Sequence, residues 1–402
     1  MVGRSIVGGY YMRQPLSALC TVLLLLIYPA QMPQISYAQP TAPDSSIEEF
    51  ARARDLCHAF ILRNMRNSAG GFYSTYLEVY PNSSSYGVNH EITSESTGLA
   101  MKYALKSGNL TLFSEQYEFL KEYQLGRLGT AYWKLNPDLT PFRNMHVFSS
   151  ALIDDLRILD ALITGYEVWK DKKYLELARV MIGGIREYKT EDDLLVENLD
   201  WTADGASMRS ATTILGYLDL KALFAASRYE QALTRTYANA LKLILDAQFN
   251  TTGLFYERYD ISLRTYFNSE AGTSTILQLL TALHLAEAGI NKEANASYVF
   301  LREAFLRDGS VASLYDPADG LHNSNELDTG SYSIFAALAA ALGDVDFASL
   351  VLKMKVLPKQ DLDRSSRLYG AFVTTWPGEN FDANSWDNIL TLCSLEMVIS
   401  IL

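Results

Sequence analysis

A short aromatic-rich segment returns about every sixty residues, and that period constrains the fold of this chain more than any other feature. It reads Gly71-Phe-Tyr-Ser-Thr-Tyr76, Gly129-Thr-Ala-Tyr-Trp133, Gly253-Leu-Phe-Tyr-Glu-Arg-Tyr259, Gly309-Ser-Val-Ala-Ser-Leu-Tyr315 and Gly370-Ala-Phe-Val-Thr-Thr-Trp376. A copy without glycine, Asp193-Leu-Leu-Val-Glu-Asn-Leu-Asp-Trp201, fills the gap, so successive starts lie 58, 64, 60, 56 and 61 residues apart. Self-similarity at a fixed period marks a repeat architecture in which each unit buries its apolar face against its neighbours.

Between copies the chain reads as paired helices. Apolar residues at 152, 156, 159, 163 and 166 have the spacing of one helix face, and the polar run at 170–173 turns the chain into a second helix over 174–188. The same pattern predicts helices over 98–105 with 112–125, 208–226 with 229–247, 273–288 with 292–307, and 332–342 with 347–355. Helices over 47–65 and 385–401 complete a set of twelve. Several have little polar surface and are expected to be buried on both faces. Six antiparallel hairpins of this kind close into an all-α (α/α)6 barrel over residues 46–402. The other arrangement is an open solenoid, which would carry distinctive capping repeats; the terminal helices here are as apolar as the rest.

Residues 1–38 stand apart from this pattern. Arg4 and Arg13 precede an apolar run from Leu16 to Ile27, and Ser36-Tyr37-Ala38 offers small residues at a cleavage site. That is a signal-peptide pattern, too short to span a membrane comfortably, with 39–45 as a linker. Its removal takes the net charge from −12 to −14, a surface that repels nucleic acid and anionic lipid. Export to a secreted or extracytoplasmic location is expected, with no stable membrane insertion once the signal is gone. The sequons at Asn82, Asn109, Asn250 and Asn295 are compatible with export. Cys57 and Cys393 remain in the mature chain, on first and last helices that barrel closure makes neighbours, so a disulfide between them is open.

In a barrel of hairpins the six long links gather on one face. They concentrate aromatic and acidic residues, among them Tyr76, Trp133, Glu197, Trp201, Glu257, Tyr259, Asp260 and Trp376. Flat aromatic rings stack on sugars, and carboxylates bind hydroxyls or move protons. Glu91 and Glu95 lie in a polar run that enters an apolar helix; Thr93 or Ser94 can cap it, placing Glu95 in its first turn.

Ser94-Glu95-Ser96-Thr97-Gly98-Leu-Ala-Met101, followed by Leu112-Phe113, resembles the signature of glycoside hydrolase family 8. Ser149-Ser150-Ala-Leu-Ile-Asp154-Asp155-Leu-Arg-Ile158 resembles the second motif of that family, in its exopolysaccharide-hydrolase-like branch. The resemblance implies a glycosidase that acts on a polysaccharide or oligosaccharide by inversion, without metal or cofactor. Glu95 is then the general acid, Asp155 the match to the second motif with Asp154 beside it, and Asp260, which follows Tyr259, the base. Glu91, Tyr76, Trp133, Asp154, Trp201, Glu257, Tyr259 and Trp376 are the expected substrate contacts, with Glu91 and Asp155 as neighbours able to raise the Glu95 pKa. The chain departs from the family in having Ser-Thr-Gly after Glu95, Ile153 in register with an Asp, and Tyr259-Asp260 well upstream of Thr273. Glu257, Glu270 and Asp204 therefore stay open as alternative bases.

Two other readings remain. A sugar epimerase on the same barrel would use histidine, and His90, His146 and His322 fall in or beside the links, unlike His58 and His284. A non-catalytic polysaccharide-binding protein would keep the aromatics and relax the acids.

Overall fold

The computed structural model describes residues 45–81, 86–323, 325–375 and 381–402. The expected signal peptide and most of the linker lie outside these residues, as do Asn82 and Trp376. Ser45 already opens the first helix.

Twelve α-helices are described: α1 Ser45–Phe60, α2 Ser94–Lys106, α3 Leu110–Phe119, α4 Leu152–Trp169, α5 Lys172–Glu187 and α6 Leu220–Ser227. The second half holds α7 Leu233–Asp246, α8 Thr275–Glu287, α9 Asn291–Asp308, α10 Thr329–Ala341, α11 Val345–Val351 and α12 Ser385–Ile399. The even-numbered helices touch in cyclic order, α2 to α4, α6, α8, α10, α12 and back to α2. Each odd-numbered helix packs on the even one before it, and α1 packs on α12. α10 shows why the inner set is apolar: Ile334, Phe335, Leu338 and their neighbours are buried on almost every side. Each such side chain contributes about 1.5–3 kcal/mol by leaving water.

The sixth helix corrects the sequence reading. A helix over 208–226 was expected; instead Ser207–Arg209 and Thr212–Ile214 are strands, Leu215–Tyr217 is a 3-10 turn, and α6 starts only at Leu220. Thr212-Thr213-Ile214 is a β-branched run that suits a pleated strand better than a helix, and Asp219 caps α6 through the Ala222 N–H (2.9 Å).

The expected all-α class also needs amending, because the described residues of the links carry twelve short strands in five small sheets. These stitch neighbouring links together. Ile92–Thr93 pairs with Lys134–Leu135, Val147–Ala151 with Asn198–Thr202, Thr212–Ile214 with Arg258–Asp260, and Thr273–Ser274 with Leu314–Tyr315. A bridge from Thr75 to Asn384 joins the first link to the last. The six links therefore share one face, the one onto which the N-termini of the inner helices open.

The aromatic repeat has a backbone cause. Five of the six copies open with the same turn after an outer helix, closed by paired bonds such as Tyr132 N–H to Gln124 O and Gly126 N–H to Thr130 O (2.8 and 2.7 Å). The turn needs a left-handed residue: Gly129, Gly253 and Gly370 sit at φ +81°, +73° and +95°. In the copy that lacks glycine, Asp193 takes that conformation at φ +59°, which Asp tolerates better than most residues.

Cys57 and Cys393 are free, buried thiols. α1 and α12 are neighbours as expected, but the two sulfurs face different partners. Cys57 Sγ lies against Asn388 of α12 (3.4 Å to Oδ1), whereas Cys393 Sγ lies toward the Leu99 carbonyl of α2 (3.8 Å). Cys393 is on the face of α12 that looks into the ring.

Candidate active site

Each inner helix brings a positive dipole end to the link face, and acidic side chains collect there. Glu95 is in the first turn of α2, Asp154 and Asp155 in that of α4, Asp387 in that of α12, and Asp328 caps α10. Glu257 reaches the start of α8 by accepting the Ser274 N–H (3.1 Å).

The start of α2 is fixed from four sides. Thr93 caps it through the Ser96 N–H (3.2 Å), and the Ser94 N–H donates to the Trp133 carbonyl (2.9 Å). Ser94 Oγ donates to Asp154 Oδ2 (2.7 Å), and Ser96 Oγ meets Ser385 Oγ of α12 (2.7 Å). Glu95 is the exception, because its carboxyl receives no hydrogen bond from any described residue and opens into a cavity of about 260 Å³. Burial, and next the Asp154 charge, raise its pKa to about 8, with Asp328 adding to the rise and Arg157 opposing it. Burial thus wins over the helix dipole, and Glu95 holds a proton at neutral pH.

Asp154 is the neighbour that faces Glu95. Its second oxygen accepts from Arg157 Nη1 (2.9 Å), and burial pushes its pKa up while Arg157 pulls it down. Asp155 turns the other way: its oxygens accept from the Ala131 N–H (2.7 Å) and the Tyr188 hydroxyl (2.6 Å). Successive residues on a helix lie about 100° apart, so the pair cannot both face the axis. Of the two neighbours expected to raise the Glu95 pKa, Glu91 is also elsewhere, bonded to the Val88 N–H (2.9 Å) and paired with Lys134 (3.0 Å).

Across the ring, Arg258 pairs with Glu197 at 2.9 Å and contacts Glu257 at 3.3 Å. Tyr217, on the 3-10 turn before α6, lies among these groups; burial, then Asp154, Glu95 and Glu197, push its phenol up to about 12. Asp260 is half-buried at the end of the Arg258–Asp260 strand and accepts the Leu263 N–H (2.8 Å). Alternation puts Asp260 on the same face of that strand as Arg258, whereas Glu257 is buried toward α8.

The expected aromatic platforms separate into two groups. Tyr76, Trp133 and Tyr259 are half-buried and packed edge-on against Phe60, Phe142 and Tyr266. Trp201 is only 1% exposed, with Tyr132 and Phe148 around it, so its ring is core rather than a sugar platform. Its place in a strand of alternating burial explains this. No histidine lines the cavity at Glu95: His58 bonds Tyr103, His90 stacks on Tyr73, and His284 is buried near Asp219.

Sequence reasoning missed Asp328, Tyr217, Trp386 and Asp387. The signal for three of them was available, since Asp328 and Asn384 are helix caps and occupy the same hairpin position as the start of α2. Tyr217 was hidden by the helix wrongly expected over 208–226.

A 13C NMR titration of the carboxyls checks this electrostatic picture. Glu95 should titrate near pH 8, and Asp154→Asn, which removes a negative neighbour, should lower that value. An unmoved midpoint would show that Asp154 has no influence on it.

No family model matches the chain. It is 23% identical over 276 residues to "Putative lipoprotein YdaJ" of Bacillus subtilis (strain 168), covering 68% of this chain and 69% of that one. A structure described as a novel alpha-amylase from Clostridium perfringens is similar at TM-score 0.75 and 25% identity, over 86% of this chain and 97% of that chain. PssZ from Listeria monocytogenes is similar at TM-score 0.62 and 18% identity, over 84% and 94%. Endoglucanase Cel10, a family 8 glycosyl hydrolase from Klebsiella pneumoniae, is similar at TM-score 0.59 and 12% identity, over 86% and 98%. The resemblance to family 8 thus extends from two motifs to the fold of most of the chain.

Proposed function

We propose, from a fold shared with family 8 glycoside hydrolases, that this chain is an exported glycosidase that cleaves a polysaccharide by inversion. The ring of inner helices is read as an (α/α)6 barrel, and the link face as its substrate cleft. The observation that carries the proposal is Glu95, a half-buried carboxyl without a hydrogen bond from any described residue, held protonated beside Asp154 and facing a cavity.

Glu95 gives its proton to the glycosidic oxygen as the bond from that oxygen to the anomeric carbon breaks. Water attacks the anomeric carbon from the opposite face while Asp260 takes its proton, so one water is added and both carboxyls must be reset after each turnover. Inversion needs about 6.5–9.5 Å between the two carboxyls to leave room for the water, and links from different hairpins can supply that span. Asp154 keeps Glu95 protonated and lies where positive charge develops on the sugar ring. Asp155 acts at one remove, tying α4 to Ala131 and Tyr188. Tyr76, Trp133 and Tyr259 offer rings to neighbouring sugar units. The absence of any histidine from the cavity lining weighs against an epimerase.

The base is tested by Asp260→Ala. Hydrolysis should fall by roughly 10²–10⁴, the usual range for losing a general base, and azide should restore turnover by supplying an external nucleophile. A variant with full activity would transfer the role to Glu257 or another carboxylate of the same link.

A further inference from the structure

The cavity at Glu95 has a second wall that belongs to α10 and α12. Trp386, in the first turn of α12, lines it together with Asp328 and Asp387. The edge of the indole lies so close to α10 that a Cβ on Gly330 would fall 2.4 Å from its nitrogen and 2.6 Å from Cδ1. Only glycine lets the ring sit there. The Gly330 N–H donates to Asp387 Oδ1 (2.7 Å), and Asn384 Nδ2 donates to Asp387 Oδ2 (2.9 Å), so Asp387 is fully engaged in holding this wall together.

Asp328 is different. One oxygen caps α10 through the Ser331 N–H (2.7 Å), and no described residue bonds to the other. The cavity therefore presents an aromatic ring, a free carboxylate oxygen and the proton of Glu95. The carboxyl side chains among its described lining residues are Glu95, Asp328 and Asp387, and no Lys, Arg or His is among them.

We propose that this cavity seats an uncharged pyranose unit of the polymer against Trp386, and that it refuses uronic acid units. The proposal rests on the glycosidase reading and adds to it the class of substrate. The C–H face of a pyranose is apolar and matches the indole, while its hydroxyls are donors for the open Asp328 oxygen. A uronate would bring a second negative charge beside Asp328 in a partly enclosed site with no Lys, Arg or His among its described lining residues. The same charge would also disturb the protonation of Glu95.

Binding to the Glu95→Gln protein tests this without turnover, by calorimetric titration with cellohexaose, maltohexaose and a hexagalacturonate. A neutral hexamer should bind at least about tenfold more tightly than the uronate, a difference of about 1.4 kcal/mol. Trp386→Ala should weaken the neutral hexamer by about tenfold or more, the scale of a buried aromatic anchor, and Trp386→Phe should restore most of it. Asp328→Asn should narrow the gap between neutral and uronate ligands. Equal binding of the uronate, no binding of either neutral hexamer, or unchanged binding in Trp386→Ala would overturn the subsite. Intact neutral binding with no hydrolysis by the unaltered protein on any polysaccharide would instead overturn the glycosidase reading, so the two failures are distinguishable.

Discussion

Replacing Glu95 by Gln should cost roughly 10²–10⁴ in the rate of hydrolysis, the range expected for loss of a general acid, and leave fold and sugar binding in place. Glu95 is the one acidic side chain at an inner-helix start with a raised pKa and no hydrogen bond from the described residues. An amide keeps its shape, needs no rearrangement of Ser94 or Ser96, and carries no proton that can be transferred. Melting temperature should rise slightly or stay constant, because folding no longer has to take up a proton on a carboxyl that is ionised in the unfolded chain at neutral pH. The check is an assay spanning several decades alongside thermal unfolding. A fully active Glu95→Gln enzyme would remove this residue from the chemistry.

The largest effect on stability is expected two helical turns below. Lys102 of α2 lies 3.7 Å from Asp160 of α4, 3.7 Å from Asp219 and 3.8 Å from Glu287 of α8. These groups link four inner helices at the centre of the ring. Burial raises the carboxyl of Asp219, and Lys102 and then His284 outweigh it, leaving a pKa of about 2. Glu287 is lowered chiefly by the same lysine against the cost of burial, whereas for Asp160 burial prevails and its pKa is raised. Lys102→Met removes the cation shared by the three carboxyls and leaves only Lys221 on Asp160 (3.1 Å) and His284 near Asp219 (3.9 Å), a loss of the kind that costs about 3–5 kcal/mol in buried ion pairs.

The pH dependence has a definite sign. Asp219 and Glu287 have folded-state values below the unfolded ones, so they contribute stability above the unfolded carboxylate range that is lost as pH falls through their folded values. In Lys102→Met those carboxyls titrate higher, and the deficit should shrink between pH 7 and pH 5 as they take up protons. Denaturant unfolding of both proteins at the two pH values measures it. A deficit below 1 kcal/mol, or one that grows toward pH 5, would contradict this account of the cluster.

Much of the architecture could be read from the chain. The repeat of Gly129, Gly253, Gly370 and their counterparts reveals the hairpins, because the turn after an outer helix demands a left-handed residue, Gly70 in the first copy, and Asp193 shows the turn surviving without glycine. α4 has the expected bounds since its apolar stripe is uninterrupted. The strands of the links were not legible: they are two to five residues long and paired across sequence distances that local periodicity does not record. Which of Asp154 and Asp155 faces the axis was equally hidden, since adjacent acids in one motif differ only in helical phase. Asp328 and Trp386 were overlooked because they come from links without a resemblance to a known motif, though they occupy the helix-start positions that the first two hairpins had already marked.

Proton NMR of a digest followed from its first minutes tests the central claim most directly. The unaltered protein, given a neutral polysaccharide it degrades, should release new reducing ends whose first-formed anomer is opposite in configuration to the bond cleaved, with mutarotation following later. Reducing ends that first appear with retained configuration, or no new reducing ends from any neutral polysaccharide, would contradict it.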